Sequence, residues 1–196
     1  MLRLFAEFNN ENVALERIEE IILQIPRLSY RILRLANSVA SYRGKKIDSL
    51  LEAIQKLGLQ QIQNWLRLFL LSNQDDVAPD LLERTLIRAK MSECLAKISG
   101  YFNPHQAYTV GILSTLDSFL NESMVSLLGK IQLSELLNEA LLYHKGELGT
   151  ILQICIDYEK AAFQDLEQTT YTKENLTCSY LEAIEHSNSV MDTINK

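Results

Sequence analysis

Apolar positions recur along this chain at spacings of three and four residues, the period of helices that bury one face. Leu15, Ile18, Ile21, Ile22 and Ile25 form a first stripe that stops at Pro26. Leu28, Ile32, Leu35 and Val39 form the next, with Asn37 and Ser38 near its end and a polar loop marked by Gly44 beyond it. Ile47, Leu50, Leu51, Ile54 and Leu57 resume the period. Asp48 or Ser49 is placed to cap that helix, and Gly58 stands where a terminating glycine belongs. Ile62, Trp65, Leu66 and Phe69 mark a fourth helix.

The polar run from Ser72 to Asp76, closed by Pro79, reads as a linker. Asp80 opens a long helix through Leu82, Leu86, Ala89, Leu95 and Ile98, stopped by Gly100 and Pro104. From Ala107 to Leu120 the apolar residues point to several faces. A single helix buried on most sides is expected there, with Gly111 letting a neighbour approach closely. Shorter helices over Leu133 to Tyr143, Leu148 to Tyr158 and about Lys173 to Met191 follow, with breaks at Gly129, Gly146 and Thr169-Thr170. No alternating strand pattern competes. The expected fold is all-α, an irregular multi-helix bundle that a division near residues 73 to 79 can split into two lobes.

Composition sharpens this picture. Hydrophobic residues make up 47% of the 196, enough for a substantial core, and only 7 Gly and 3 Pro interrupt the chain. Cys94, Cys155 and Cys178 are far apart and follow no metal-ligand spacing, which suits reduced thiols and a cytoplasmic setting. No apolar run is long enough to span a bilayer, so no membrane partner is expected. The net charge is −6, but it is uneven: residues 1 to 100 hold 14 Lys/Arg against 12 Asp/Glu, and residues 101 to 196 hold 5 against 13. An acidic balance argues against a general nucleic-acid binder, which needs a basic surplus to displace counterions from phosphates.

Positive charge is nevertheless concentrated in one place. Arg27, Arg31 and Arg34 fall on one helix face at i, i+4 and i+7, and Arg43, Lys45 and Lys46 follow with no acidic residue between positions 27 and 46. Two readings stand: a solvated face opposite the Leu28/Ile32/Leu35 stripe, or a docking patch for an acidic partner surface. Chemistry is harder to find. His105, His144 and His186 are widely spaced, and only the fold could gather His105, Asp117 and His144 into a displaced metal-dependent hydrolase site. Nucleophile elbows and phosphate-binding glycine loops are missing, and no cofactor is expected.

One stretch carries more than composition. Ile25-Pro26-Arg27-Leu28-Ser29-Tyr30-Arg31-Ile32-Leu33-Arg34-Leu35-Ala36-Asn37-Ser38, continued by Lys46-Ile47-Asp48-Ser49-Leu50 and Ala53-Ile54-Gln55-Lys56-Leu57-Gly58, resembles the opening of HDOD domains. Asn64-Trp65-Leu66 and Leu86-Ile87-Arg88-Ala89-Lys90 look like the variant found behind EAL phosphodiesterase domains in bacterial two-domain signalling proteins. The resemblance implies a degenerate relative of the helical HD phosphohydrolases. It places Ser114 and Thr115 where that family's metal-binding His-Asp pair stands, and two neutral hydroxyls are poor replacements for an imidazole and a carboxylate. Asp117 lies two residues on, about 200° around a continuous helix.

The same resemblance implies importance for Asn37, Ser38 and Gly58. Gly58 reads locally as a helix terminator. Asn37 and Ser38 read as helix-end residues bonding nearby backbone, or as organisers of the loop carrying Arg43, Lys45 and Lys46. The tripeptide Glu139-Ala140-Leu141 is part of an amphipathic helix and not an EAL signature. The expected organisation is one HDOD-like domain over 1–196, with a linker-like segment at 1–10, an N-terminal lobe at 11–72 and an HD-like lobe at 80–196. Its expected function is non-catalytic signal transduction, by binding a partner protein or an attached cyclic di-GMP phosphodiesterase. The alternatives are the displaced metal-dependent phosphohydrolase, or a nucleotide or nucleic-acid ligand on the basic patch.

Overall fold

A computed structural model describes residues 17, 22–40, 46–58, 62, 79–131 and 133–195. Those residues hold helices and no strand. In chain order they are α1 (Pro26–Ala40), α2 (Leu50–Leu57), α3 (Pro79–Ser99), α4 (Pro104–Leu113), α5 (Leu116–Leu120), α6 (Met124–Ile131), α7 (Glu135–Tyr143), α8 (Gly146–Glu159) and α9 (Lys173–Asn195). The predicted helix at Trp65, Leu66 and Phe69, and the loop residues Arg43 and Lys45, lie outside the described residues.

Helix ends follow their local chemistry. Pro26 opens α1, where its missing N–H costs no hydrogen bond. Ser49 caps α2 by accepting from the Glu52 backbone N–H, and Gly58 ends it at φ 78° with its N–H on the Ile54 carbonyl. Ser134 caps α7 by accepting from the Leu137 N–H.

Two sequence expectations are corrected. Gly129 does not break a helix but sits inside α6, on an exposed face. One exposed glycine costs about 1 kcal/mol of helix propensity, and burial of Leu127, Leu128 and Ile131 on the other face offsets it. The single helix expected over Ala107 to Leu120 is two, interrupted at Ser114 and Thr115. At the break the Ser114 hydroxyl donates to the Gly111 carbonyl. Thr115 leaves helical geometry at φ −117°, ψ 8°.

One main buried cluster runs through both halves of the chain. Leu28, Ile32 and Leu33 of α1 and Ile54 of α2 join Val110 of α4, Leu127 of α6, Leu137 of α7 and Ile151 of α8. Around α3 the packing is closest against α4 and α9. Gly111 makes the α3–α4 approach possible, because a Cβ there would lie 2.4 Å from the Ala89 Cα. That approach sets the site described next.

Candidate functional site

The close contact at Ala89 and Gly111 aligns one polar face of α3 with the break between α4 and α5. Thr85, Arg88 and Ser92 recur at three and four residues along α3 and so share a face. Each meets a polar partner across the interface. The hydroxyls of Thr85 and Thr115 are 2.7 Å apart, and Thr85 is fully buried. Ser92 Oγ and Cys155 Sγ of α8 are 3.4 Å apart. Between them Arg88 spans three helices: Nη1 donates to Ser114 Oγ at 3.0 Å, while Nε and Nη2 donate to the two carboxylate oxygens of Glu159 at 2.9 and 2.7 Å. Both members of this ion pair are 14% exposed.

This is the position where the resemblance places a metal-binding pair, and its residues do not fit a divalent ion. Ser114 and Thr115 supply neutral hydroxyls already engaged in hydrogen bonds. Both Glu159 oxygens are occupied by a guanidinium, whose charge repels a cation. The displaced set is not gathered either. The His105 ring lies 4.0 Å from Glu93, Asp117 accepts from the Ser118 backbone N–H, and His144 ends α7 at φ 51°. No group of three or more His, Cys, Asp or Glu among the described residues is placed to hold a metal.

A second charged cluster ties α3 to α9. Lys90 reaches Glu93 at 3.0 Å and Glu182 at 3.3 Å, and Lys97 reaches Glu93 at 3.1 Å. Burial alone would raise the Glu93 carboxyl, but the Lys90 hydrogen bond and charge, with Lys97, hold it below its ordinary range. For a lowered carboxyl the stabilisation is present above its unfolded pKa and lost as pH falls through the folded one.

Burial pushes the Cys94 and Cys155 thiols up to about 12. Neither forms a thiolate nucleophile at neutral pH. Cys178 is exposed. Native protein is therefore expected to react with a thiol reagent at Cys178 alone, and denatured protein at all three cysteines. Fast native labelling of Cys94 or Cys155, located by peptide mapping, would contradict the packing around α3.

The basic face is less uniform than its spacing suggests. Arg31 and Arg34 of α1 are exposed. Arg27 is half-buried and donates through Nε and Nη2 to the Phe119 carbonyl at 3.2 and 2.6 Å, so it joins α1 to α5. Lys46 donates to the Leu133 carbonyl at 2.9 Å, and Asp48, two residues on, accepts from the Ser134 N–H at 2.8 Å. Glu122 lies close enough to Arg34 that its carboxyl, lowered first by the Lys130 hydrogen bond and then by Ser126, is lowered further by the arginine.

Asn37 takes the second of its two readings, organising the connection that follows α1. It lies in the last turn of α1, as its place in the sequence suggests, and is 2% exposed. Its amide exchanges two hydrogen bonds with Ile47, donating to the carbonyl at 2.9 Å and accepting from the N–H at 2.8 Å. It thus clamps the far side of the connection that carries Arg43, Lys45 and Lys46. The side chain of Ser38 lies outside the described residues.

Sequence reasoning quoted Arg88 only as part of a family segment and missed Glu159 and Thr85. An arginine among Leu86, Ile87 and Ala89, in a helix whose polar residues are otherwise scattered, was the available signal for a buried charge needing a partner.

The described residues form an all-helical fold with a partly buried polar seam at the α4–α5 break. The chain belongs to the HDOD family: the HDOD domain model matches residues 1–153. It is 28% identical over 197 residues to the uncharacterized protein YuxH of Bacillus subtilis, covering 96% of this chain and 48% of that one. It is 30% identical over 170 residues to the cyclic di-GMP phosphodiesterase CdgJ of Vibrio cholerae, covering 85% of this chain and 39% of that one. The chain thus spans half or less of the length of these relatives. The crystal structure of the MmoQ response regulator from Methylococcus capsulatus shares the fold, with a TM-score of 0.68 at 17% identity over 93% of this chain and 94% of that one. Among the described residues, no helix is long and apolar enough to cross a membrane.

Proposed function

We propose that this HDOD chain is a non-catalytic signalling module that binds a partner protein and changes its activity, the leading partner being a cyclic di-GMP phosphodiesterase domain. The observation carrying the non-catalytic half is the Arg88–Glu159–Ser114 arrangement, which puts a paired guanidinium where hydrolytic relatives of this fold need metal ligands. The partner half is supported by the relative named as a cyclic di-GMP phosphodiesterase, of which this chain spans 39%. The exposed Arg31 and Arg34 of α1 offer a cationic face to an acidic surface. Contact alone does not regulate: the module must bind two states of its partner with different affinity.

The test adds the purified chain to a phosphodiesterase domain from the same organism and follows cyclic di-GMP hydrolysis. A saturable change in rate is expected, and Arg31→Glu/Arg34→Glu should abolish most of it while circular dichroism stays unchanged. Identical rate curves with wild type and the double variant would remove the basic face from the account.

A further inference from the structure

The turn between α5 and α6 sets an acidic group beside the basic face of α1. Arg27 holds the end of α5 against α1 through its two bonds to the Phe119 carbonyl, and α1 packs directly on both α5 and α6. Asn121 then ends α5 in left-handed geometry at φ 51°, and Glu122 follows it. Two side chains of α6 reach back to fix that carboxylate. Lys130 forms an ion pair with it, and the Ser126 hydroxyl donates to the same oxygen. Ser126 and Lys130 are four residues apart and share one helix face. Both charges stay in contact with solvent, the Lys130 side chain being 41% exposed and that of Glu122 36%. Arg34, exposed on α1, is near enough to lower the same carboxyl further. A single carboxylate thus stands among cations from two helices.

We propose that the docking face extends from α1 onto α6, with Arg34 and Lys130 as paired cations, and that Glu122 holds the place a partner's carboxylate takes on binding. This rests on the docking role given to Arg31 and Arg34. It adds Lys130 to the contact and makes Glu122 an internal competitor. An exposed ion pair is weak enough to be exchanged for another. A partner surface carrying an acidic residue that reaches both cations displaces Glu122 and regains the charge contact. A neutral surface displaces it without that return, so the competitor sharpens selection for acidic partners.

Calorimetric titration of the full chain with a cyclic di-GMP phosphodiesterase domain from the same organism tests this at fixed ionic strength. Glu122→Gln removes the charge but keeps an acceptor for Ser126. It should tighten binding about two- to fivefold, the range one exposed ion pair spans, and Lys130→Gln should weaken it by a similar factor. In an Arg34→Gln/Lys130→Gln background the gain from Glu122→Gln should vanish, because the cations it screens are gone. Glu185 is exposed on α9, which packs on α3, so Glu185→Gln changes the net charge equally and should leave binding unmoved. Binding unmoved by Glu122→Gln overturns the proposal, as does equal tightening by Glu185→Gln. Binding weakened by Arg31→Glu/Arg34→Glu but not by Lys130→Gln keeps the docking role of α1 and removes α6 from it. A wild-type chain that does not bind overturns both.

Discussion

Arg88→Ala is expected to lower unfolding free energy by about 1–3 kcal/mol, between the worth of an exposed ion pair and the cost of stranding one member of a buried pair. The geometry argues for the upper part of the scale. The guanidinium makes a two-pronged contact with Glu159 and a third bond to Ser114, and both charges are 14% exposed. Removing it leaves a carboxylate that is only 14% exposed, close to Cys155, without its cation. Glu159→Ala strands the guanidinium and should cost a similar amount. The double variant Arg88→Met/Glu159→Met removes both charges together and should recover much of the loss, because apolar replacements avoid the desolvation cost of the pair. Urea denaturation of the four proteins measures this cycle. A single-variant loss below about 1 kcal/mol, the worth of an exposed pair, would show that the seam is wet and open.

Asn37→Ala should cost about 2–4 kcal/mol. The substitution removes two hydrogen bonds and leaves the N–H and C=O of Ile47 without partners in a site from which water is excluded, at about 1–3 kcal/mol for each stranded group. Ile47 is itself fully buried, and it anchors the segment carrying Lys46 and Asp48. Asn37→Asp keeps an acceptor for the Ile47 N–H but has no donor for its carbonyl, so it should fail to rescue. Thermal melts of both variants check this, and an Asp variant as stable as wild type would mean the clamp is only half used.

Local signals made most of the architecture legible. The stripes Leu28/Ile32/Leu35 and Leu50/Ile54/Leu57 became α1 and α2, and Asp80, Gly100 and Pro104 bracketed α3 because caps and breakers act within a turn. Gly129 misled because a glycine ends a helix only where the chain needs left-handed geometry, and inside α6 it does not. The α4–α5 break escaped notice because its causes are tertiary: Arg88 and Thr85 hold Ser114 and Thr115 from another helix. The site was hidden for the same reason. Arg88 and Glu159 are 71 residues apart, and no periodicity links them. Asn37 was visible as a motif residue, but its partner ten residues on was not. The apolar period also could not show that Arg27 turns inward to Phe119 while Arg31 and Arg34 stay exposed.

The central claim, that the centre at Ser114 and Thr115 serves structure and not metal-dependent hydrolysis, is tested most directly by elemental analysis. The chain would be purified from cells grown with manganese, iron, magnesium and zinc, and exhaustively buffer-exchanged. The account predicts far less than one ion of any of these metals per chain, unchanged in Arg88→Met/Glu159→Met. Close to one ion per chain, lost when Glu159 is replaced, would contradict it and make the protein a hydrolase candidate.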